Sequence, residues 1–331
     1  MHKERAFVKL RTCLSAIALA LFACAPPLHA ADAILDEVIA AARTRGVNGH
    51  LPDWPVVERD AYVLLAASPG EAGRTAAIRH VLGALKDGHS FYMPPPPSSA
   101  PSGAAAGTST GNPAARTPKP IAQAHGAVEG VGHLAINAWS GGSAETPAAT
   151  RDVRDALNQS LANAPCGLIV DVAHNPGGNM WPMMGGIAPL YDEGVLETFQ
   201  GRSGAPQVVN VRDGQLRMNE SVFPRAELPA LVRKPAHLAV ILGPGTMSSG
   251  EILALGFKGQ RNVRFFGQPT RGATTANASM RLSNGGMVAL TTAHIQDRRG
   301  VIHQGPVVPD ETTDQPLQAA RAWLVKQCAQ H

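Results

Sequence analysis

Cysteine is scarce. Of the four in this 331-residue chain, Cys13 and Cys24 fall within the first thirty positions, leaving only Cys166 and Cys328 for the rest. Two cysteines cannot build a disulfide-dense scaffold, and neither a CxxC nor an HExxH spacing occurs, so the common zinc frameworks are excluded. Beyond the N-terminus no stretch is long and apolar enough for a membrane helix. Charge is thin as well: 16% of residues are charged, with a formal net charge of +4. Lys3, Arg5, Lys9 and Arg11 against Glu4 put +3 of that at the extreme N-terminus, so the remainder carries about +1 and no dense basic patch. A nucleic-acid partner is therefore not expected. Aromatics amount to 5%, but apolar residues reach 44%, enough for a full core.

What is present divides into four regions. MHKERAFVKLR is basic, CLSAIALALFACA apolar, and PLHA-AD ends in small residues. That order predicts a secretory signal peptide over residues 1–30, cleaved near Ala30, and a periplasmic or secreted mature chain. Cleavage before Cys24 in LFAC, as in a lipoprotein, ranks second because Phe22 suits that box poorly. Residues 31–93 form a small helical region, since ADAILDEVIAAARTRG, ERDAYVLLAAS and GRTAAIRHVLGALKDG repeat apolar residues at helical spacing. Residues 94–125, rich in Pro, Ser, Gly and Ala, read as a linker or surface loop.

Residues 126–331 alternate strands with helices, which predicts an α/β core with crossover connections. CGLIVDVA and HLAVILG are short, continuously apolar runs of the kind buried on both faces of a parallel sheet. PQVVNVRDGQLRMNE predicts a hairpin turned at Asp213-Gly214. In an exported chain Cys166 and Cys328 either join or remain buried thiols, and the sequence leaves both open.

Three short stretches carry residues suited to chemistry. In GPGTMSSGEI, residues 243–252, Ser248 and Glu251 satisfy a capping box. Free N–H groups at a helix start also favour negative charge, but taken alone the stretch reads as plain capping. In VDVAHNPGGN a buried strand ends in a sharp turn, where Gly177 or Gly178 can offer an N–H to an oxyanion or merely form the turn. In LKDGHSFY, His89 follows a helix-ending glycine among hydroxyl and aromatic residues, which suits a general base.

Together these stretches carry a resemblance. GLIVDVAHNPGGN and LAVILGPGTMSSGEILALGFKGQRNVRFFGQPTRGATTAN, followed by DRRGVIHQGPVVPDE, resemble the core of the S41 serine peptidases, the C-terminal processing proteases and their tricorn-like relatives. The similarity covers roughly residues 128–315, with DGHS matching a motif upstream. It implies a ClpP/crotonase-like core with the nucleophile at a helix N-terminus. It assigns that nucleophile to Ser248 rather than Ser249, and an oxyanion hole to the N–H of Ser249 with that of Gly177 or Gly178.

The chain departs from the better-known branch. Where processing proteases carry a lysine, QPTRGATTAN has Ala273, and no lysine occurs between Lys258 and Lys326. Arg271 cannot substitute, because a guanidinium is not deprotonated in a protein. The tricorn-like branch implies instead His89 as base with Ser90 as its accompanying hydroxyl. For the acid, Glu251, Asp297 and Asp310 are all candidates, and His303 is an alternative base. No PDZ domain is expected between the helices and the core, and neither metal nor organic cofactor is implied. The resemblance thus implies a serine endopeptidase acting on peptides or unfolded proteins. A small-molecule esterase or amidase and a silent ligand-binding relative are the alternatives, and the oligomeric state is left open.

Overall fold

A computed structural model describes residues 31–96 and 119–330. The expected signal peptide and most of the expected linker lie outside the described residues. Helical spacing of apolar residues is realised in α1 (Ala33–Arg45), α2 (Trp54–Ala67) and α3 (Glu71–Ala84). A short strand follows, β1 (Phe91–Met93).

The next strand, β2 (Ala122–Val128), starts four residues inside the stretch read as linker and pairs antiparallel with β3 (Val131–Ile136). The core therefore begins earlier than the sequence grammar indicates. There follow α4 (Thr146–Leu161), β4 (Gly167–Asp171), α5 (Met180–Ile187), β5 (Gly194–Gly201), β6 (Gln207–Arg212), β7 (Gln215–Met218) and β8 (Ser221–Val222). Then come β9 (Leu238–Leu242), α6 (Ser249–Leu255), β10 (Val263–Gly267), β11 (Thr275–Arg281), β12 (Met287–Asp297), β13 (Ile302–His303), β14 (Glu311–Thr312) and α7 (Pro316–Cys328).

One sheet has the order β14-β10-β9-β4-β3-β2, parallel except at the β2 edge. Its central strands are apolar throughout because both faces are covered. Leu168, Val170, Leu238, Val240 and Leu242 face the main core with α4, α5 and α6, while Ile169, Ala239 and Ile241 pack with Ala320 and Leu324 of α7. Alternation of side chains along a strand produces this division. A disulfide between Cys166 and Cys328, with Cα atoms 4.8 Å apart, ties the end of α7 to the residue before β4.

The second sheet runs β1-β12-β5-β6-β7-β8, with β11 and β13 also pairing β12, and these pairs are antiparallel. The β6–β7 hairpin turns at Asp213 and Gly214, whose φ values of 54° and 67° suit a two-residue turn of the primed type. The N-terminal helices share a core with this sheet: Leu35, Val38, Ala42, Ile78 and Val81 pack with Tyr92, Val288 and Leu290. That shared core carries the loop after α3 to the tips of β4 and β9, where open α/β sheets place their sites.

Candidate active site

The sharp corner after β9 is built on hydrogen bonds to its neighbour β4. Thr246 Oγ1 donates to the Val172 carbonyl at 2.8 Å and accepts the Gly243 N–H at 3.0 Å. The Met247 N–H donates to the Asn175 carbonyl at 2.9 Å. Ser248 follows with φ 53° and ψ −118°, a backbone conformation that costs a non-glycine residue about 1–3 kcal/mol. Glu251 holds it there. One carboxylate oxygen accepts the Ser248 N–H at 2.9 Å, while the other accepts the Gly272 N–H at 2.7 Å and the Thr270 hydroxyl. Burial raises the Glu251 carboxyl above its usual range, partly opposed by the bonds from Thr270, Gly272 and Ser248. Ser248 and Glu251 do form a capping box. The Glu251 N–H meanwhile donates to the Ser248 carbonyl at 2.8 Å.

The Ser248 hydroxyl faces His89. After α3, Lys86 and Gly88 take positive φ values of 51° and 66°, and the chain turns back on the Asp87 carboxylate. His89 Nε2 lies 2.9 Å from Ser248 Oγ, and Nδ1 lies 2.8 Å from Thr275 Oγ1 at the start of β11. For Nε2 to accept the serine proton, Nδ1 must carry hydrogen and donate to the threonine oxygen. His89 as a whole is 8% exposed. Burial lowers its pKa below 6.5, and the Asp87 charge opposes this only in part, so the ring is neutral at neutral pH.

The glycine turn fits closely against the serine. A Cβ on Gly177 would stand 2.9 Å from Ser248 Cβ, and one on Gly178 would stand 2.2 Å from the Trp139 carbonyl oxygen. The two expected N–H donors are not equivalent. Gly177 N–H donates to the side chain of the buried Asn175 at 2.9 Å and is occupied. Among the described residues, neither Gly178 N–H nor Ser249 N–H has an acceptor. Ser249 Oγ donates to the Gly178 carbonyl at 2.5 Å, which ties the two segments together and keeps this hydroxyl away from His89.

Several expected partners of His89 lie elsewhere. Ser90 Oγ donates to Asp87 Oδ2 at 2.7 Å, and the hydroxyl on the imidazole belongs to Thr275. Ser90 directly follows His89, and successive side chains of an extended segment point in opposite directions. None of the acid candidates contacts the ring. Glu251 serves the Ser248 backbone, and Asp310 Oδ2 accepts the Phe265 N–H at 2.8 Å. Asp297 is held by Arg299 at 2.9 Å and by His303 Nε2 at 3.1 Å, which commits His303 to that pair. Thr275, Asp87 and Asn175 escaped the sequence reading. The hydroxyl-rich TRGATTAN, in the stretch where the lysine is missing, was the available signal for Thr275.

Comparison with known proteins bears on the family and the fold. The profile of peptidase family S41 matches residues 130–313. The nisin-resistance protein of Lactococcus lactis subsp. lactis is 30% identical over 195 residues, covering 59% of this chain and 60% of that protein. A carboxyl-terminal-processing protease of Synechocystis sp. is 27% identical over 190 residues, covering 57% of this chain and 39% of the relative. The chain thus spans less than two thirds of either relative. Among solved structures, a lipoprotein from Streptococcus agalactiae superposes with TM-score 0.68 at 21% identity, covering 89% of this chain and 96% of that one. The photosystem II D1 C-terminal processing protease superposes with TM-score 0.52 at 17% identity, covering 88% and 96%. These two likenesses are of fold, while the profile covers more than half of the sequence. The chain belongs to peptidase family S41.

Proposed function

We propose that this protein is a serine endopeptidase in which Ser248 is the nucleophile and His89 the general base. The observation that carries the reading is the single hydrogen-bonded line Thr275 Oγ1–His89–Ser248 Oγ, with contacts of 2.8 and 2.9 Å. His89 Nε2 takes the serine proton as Oγ attacks the scissile carbonyl. Gly178 N–H and Ser249 N–H receive the oxyanion. His89 then protonates the leaving amine, and water, deprotonated by the same imidazole, releases the acyl group. Ser248 and His89 would do the work that the processing proteases give to serine and lysine.

The substrate class follows from the family: an extended or unfolded peptide segment entering at the tips of β4 and β9. One relative is named for nisin resistance and another for carboxyl-terminal processing, so peptides are the first substrates to try. The proposal includes export by residues 1–30, a base delivered by the helical region, and a core that supplies the nucleophile.

The test is labelling of the purified protein with a fluorophosphonate, followed by peptide mapping. Label on Ser248, absent from Ser248→Ala and much reduced in His89→Ala, is the expected result. A folded wild-type protein that takes no label would overturn it and favour a ligand-binding role. Cleavage of esters without cleavage of any peptide would move the activity to small acyl substrates.

A further inference from the structure

We infer that Asp87 and Asn277 are positioning residues for His89, gripping its backbone at both ends so that the imidazole stays between Ser248 and Thr275. The inference rests on the Ser248–His89 reading above. Asp87 Oδ1 accepts the N–H of His89 at 2.9 Å and that of Ser90 at 2.7 Å. Asn277 Nδ2 donates to the His89 carbonyl oxygen at 3.0 Å. The two grips are joined. Ser90 Oγ donates to Asp87 Oδ2 at 2.7 Å and accepts the Thr291 N–H at 2.9 Å, and Thr291 Oγ1 donates to Asn277 Oδ1 at 2.9 Å. The hydrogen bonds close a ring: Asp87, Ser90, Thr291, Asn277, His89 and back to Asp87.

The direction of each bond in that ring is forced. An ionised carboxylate only accepts, so the Ser90 hydroxyl must give its proton to Asp87 and can only accept from the Thr291 N–H. At the other end a backbone carbonyl only accepts, so Asn277 must present its NH₂ to His89. Its oxygen then faces Thr291, whose hydroxyl is left to donate. Each of these groups has one workable role, so the ring specifies one arrangement of the histidine loop.

Strand geometry explains why Asn277 reaches the loop. Thr275 and Asn277 are two positions apart on β11 and share a face, so one strand supplies both the hydroxyl for Nδ1 and the amide for the carbonyl. The β11–β12 ladder slips between Ala276, paired with Ala293, and Asn277, paired with Thr291. Thr292 is skipped. Without that bulge Asn277 would oppose Thr292, and the ring would not close. Bulges re-aim side chains next to active sites in this way. Thr291 is itself fully buried and anchored, its carbonyl accepting the Val47 N–H at 2.9 Å.

The experiment follows the rate of fluorophosphonate labelling against pH for the full chain, with thermal melting in parallel. Asn277→Ala should slow labelling by roughly 10- to 100-fold while leaving a cooperative melt. It should also move the acidic limb of the profile to higher pH, because a loosened imidazole regains water and its pKa returns towards 6.5. A role confined to stability would leave that limb in place. Thr291→Val should follow Asn277→Ala, whereas Thr291→Ser retains the hydroxyl and should label as wild type does. The inference is overturned if Asn277→Ala labels at the wild-type rate with an unmoved limb, or if Thr291→Ser falls as far as Thr291→Val. Should Asn277→Ala not fold, the Thr291 pair decides. Label that persists in Ser248→Ala would instead show that the Ser248–His89 reading has failed.

Discussion

Glu251 and Ser248 are joined twice: the carboxylate accepts the serine N–H at 2.9 Å, and the Glu251 N–H donates to the serine carbonyl at 2.8 Å. The pair holds a serine at φ 53° with its hydroxyl turned to His89. The same carboxylate also accepts from Gly272 and Thr270, so it couples the serine corner to the loop that leads into Thr275. Glu251→Gln replaces one acceptor oxygen by a donor facing groups that can only donate, or that already do so. A loss of about 1–3 kcal/mol in stability is expected, together with slower labelling of Ser248. Denaturant titration and labelling on the same sample check both. A variant as stable as wild type would mean that Glu251 is dispensable as an anchor.

Thr275 is the next residue to test, because the imidazole has no carboxylate partner among the described residues. Its hydroxyl can accept the Nδ1–H in the tautomer whose unprotonated Nε2 faces Ser248. Thr275→Val keeps the shape and removes the acceptor, so Nδ1–H loses its partner and the ring is free to turn. Labelling and peptide hydrolysis should fall by about tenfold or more, with Thr275→Ser restoring most of the rate. Equal rates for the valine and serine variants would remove Thr275 from the machinery.

Much of the architecture was legible because buried parallel strands are continuous apolar runs. GLIVD and LAVIL announce themselves, and the turn residues after each mark where the sheet ends. The strand AQAHGAV did not, since it lies at a sheet edge with most side chains exposed and shows no apolar run. Ser248, Ser249 and His89 stood out in the sequence because they sit beside glycines in short motifs. Thr275 was missed for a different reason. Its contact with His89 spans 186 positions, and a threonine on a strand carries no local signal. The tricorn-like resemblance put Ser90 of the GHS motif in that role, whereas the backbone turns its hydroxyl towards Asp87. Choosing between Gly177 and Gly178 required the Asn175 side chain, which occupies the first N–H.

The electrostatics of His89 set a pH dependence. Burial depresses its pKa below 6.5, so the neutral base persists below that pH, and the acidic limb of labelling should have its midpoint under 6.5. Asp87 works in the opposite sense, its charge raising the imidazole pKa. Stability follows the same sign. A depressed histidine pKa in the fold means that the native state binds this proton less readily than the unfolded chain. The contribution is therefore fully present above the unfolded pKa and is lost as pH falls through the folded one. A wild-type midpoint at or above 6.5 would refute this account.

The disulfide should affect stability without affecting chemistry. Cys166 precedes the first residue of β4, whereas the Asn175–Gly178 turn follows that strand's last, so the bond and the site lie at opposite ends of the same strand. Cys328 closes α7, whose Ala320 and Leu324 cover one face of the parallel sheet. The bond spans 162 positions, and a crosslink over so long a loop restricts the unfolded chain considerably. Cys328→Ala, paired with Cys166→Ala to avoid a stray thiol, should cost about 2–5 kcal/mol of unfolding free energy. The rate of Ser248 labelling in the folded protein should stay at the wild-type value, because none of the hydrogen bonds around Ser248, His89 and Gly178 involves α7. Melting with and without reductant, with labelling measured well below the transition, separates the two effects. A labelling rate that drops with the disulfide at such a temperature would show that the packing of α7 reaches through the sheet to the serine corner.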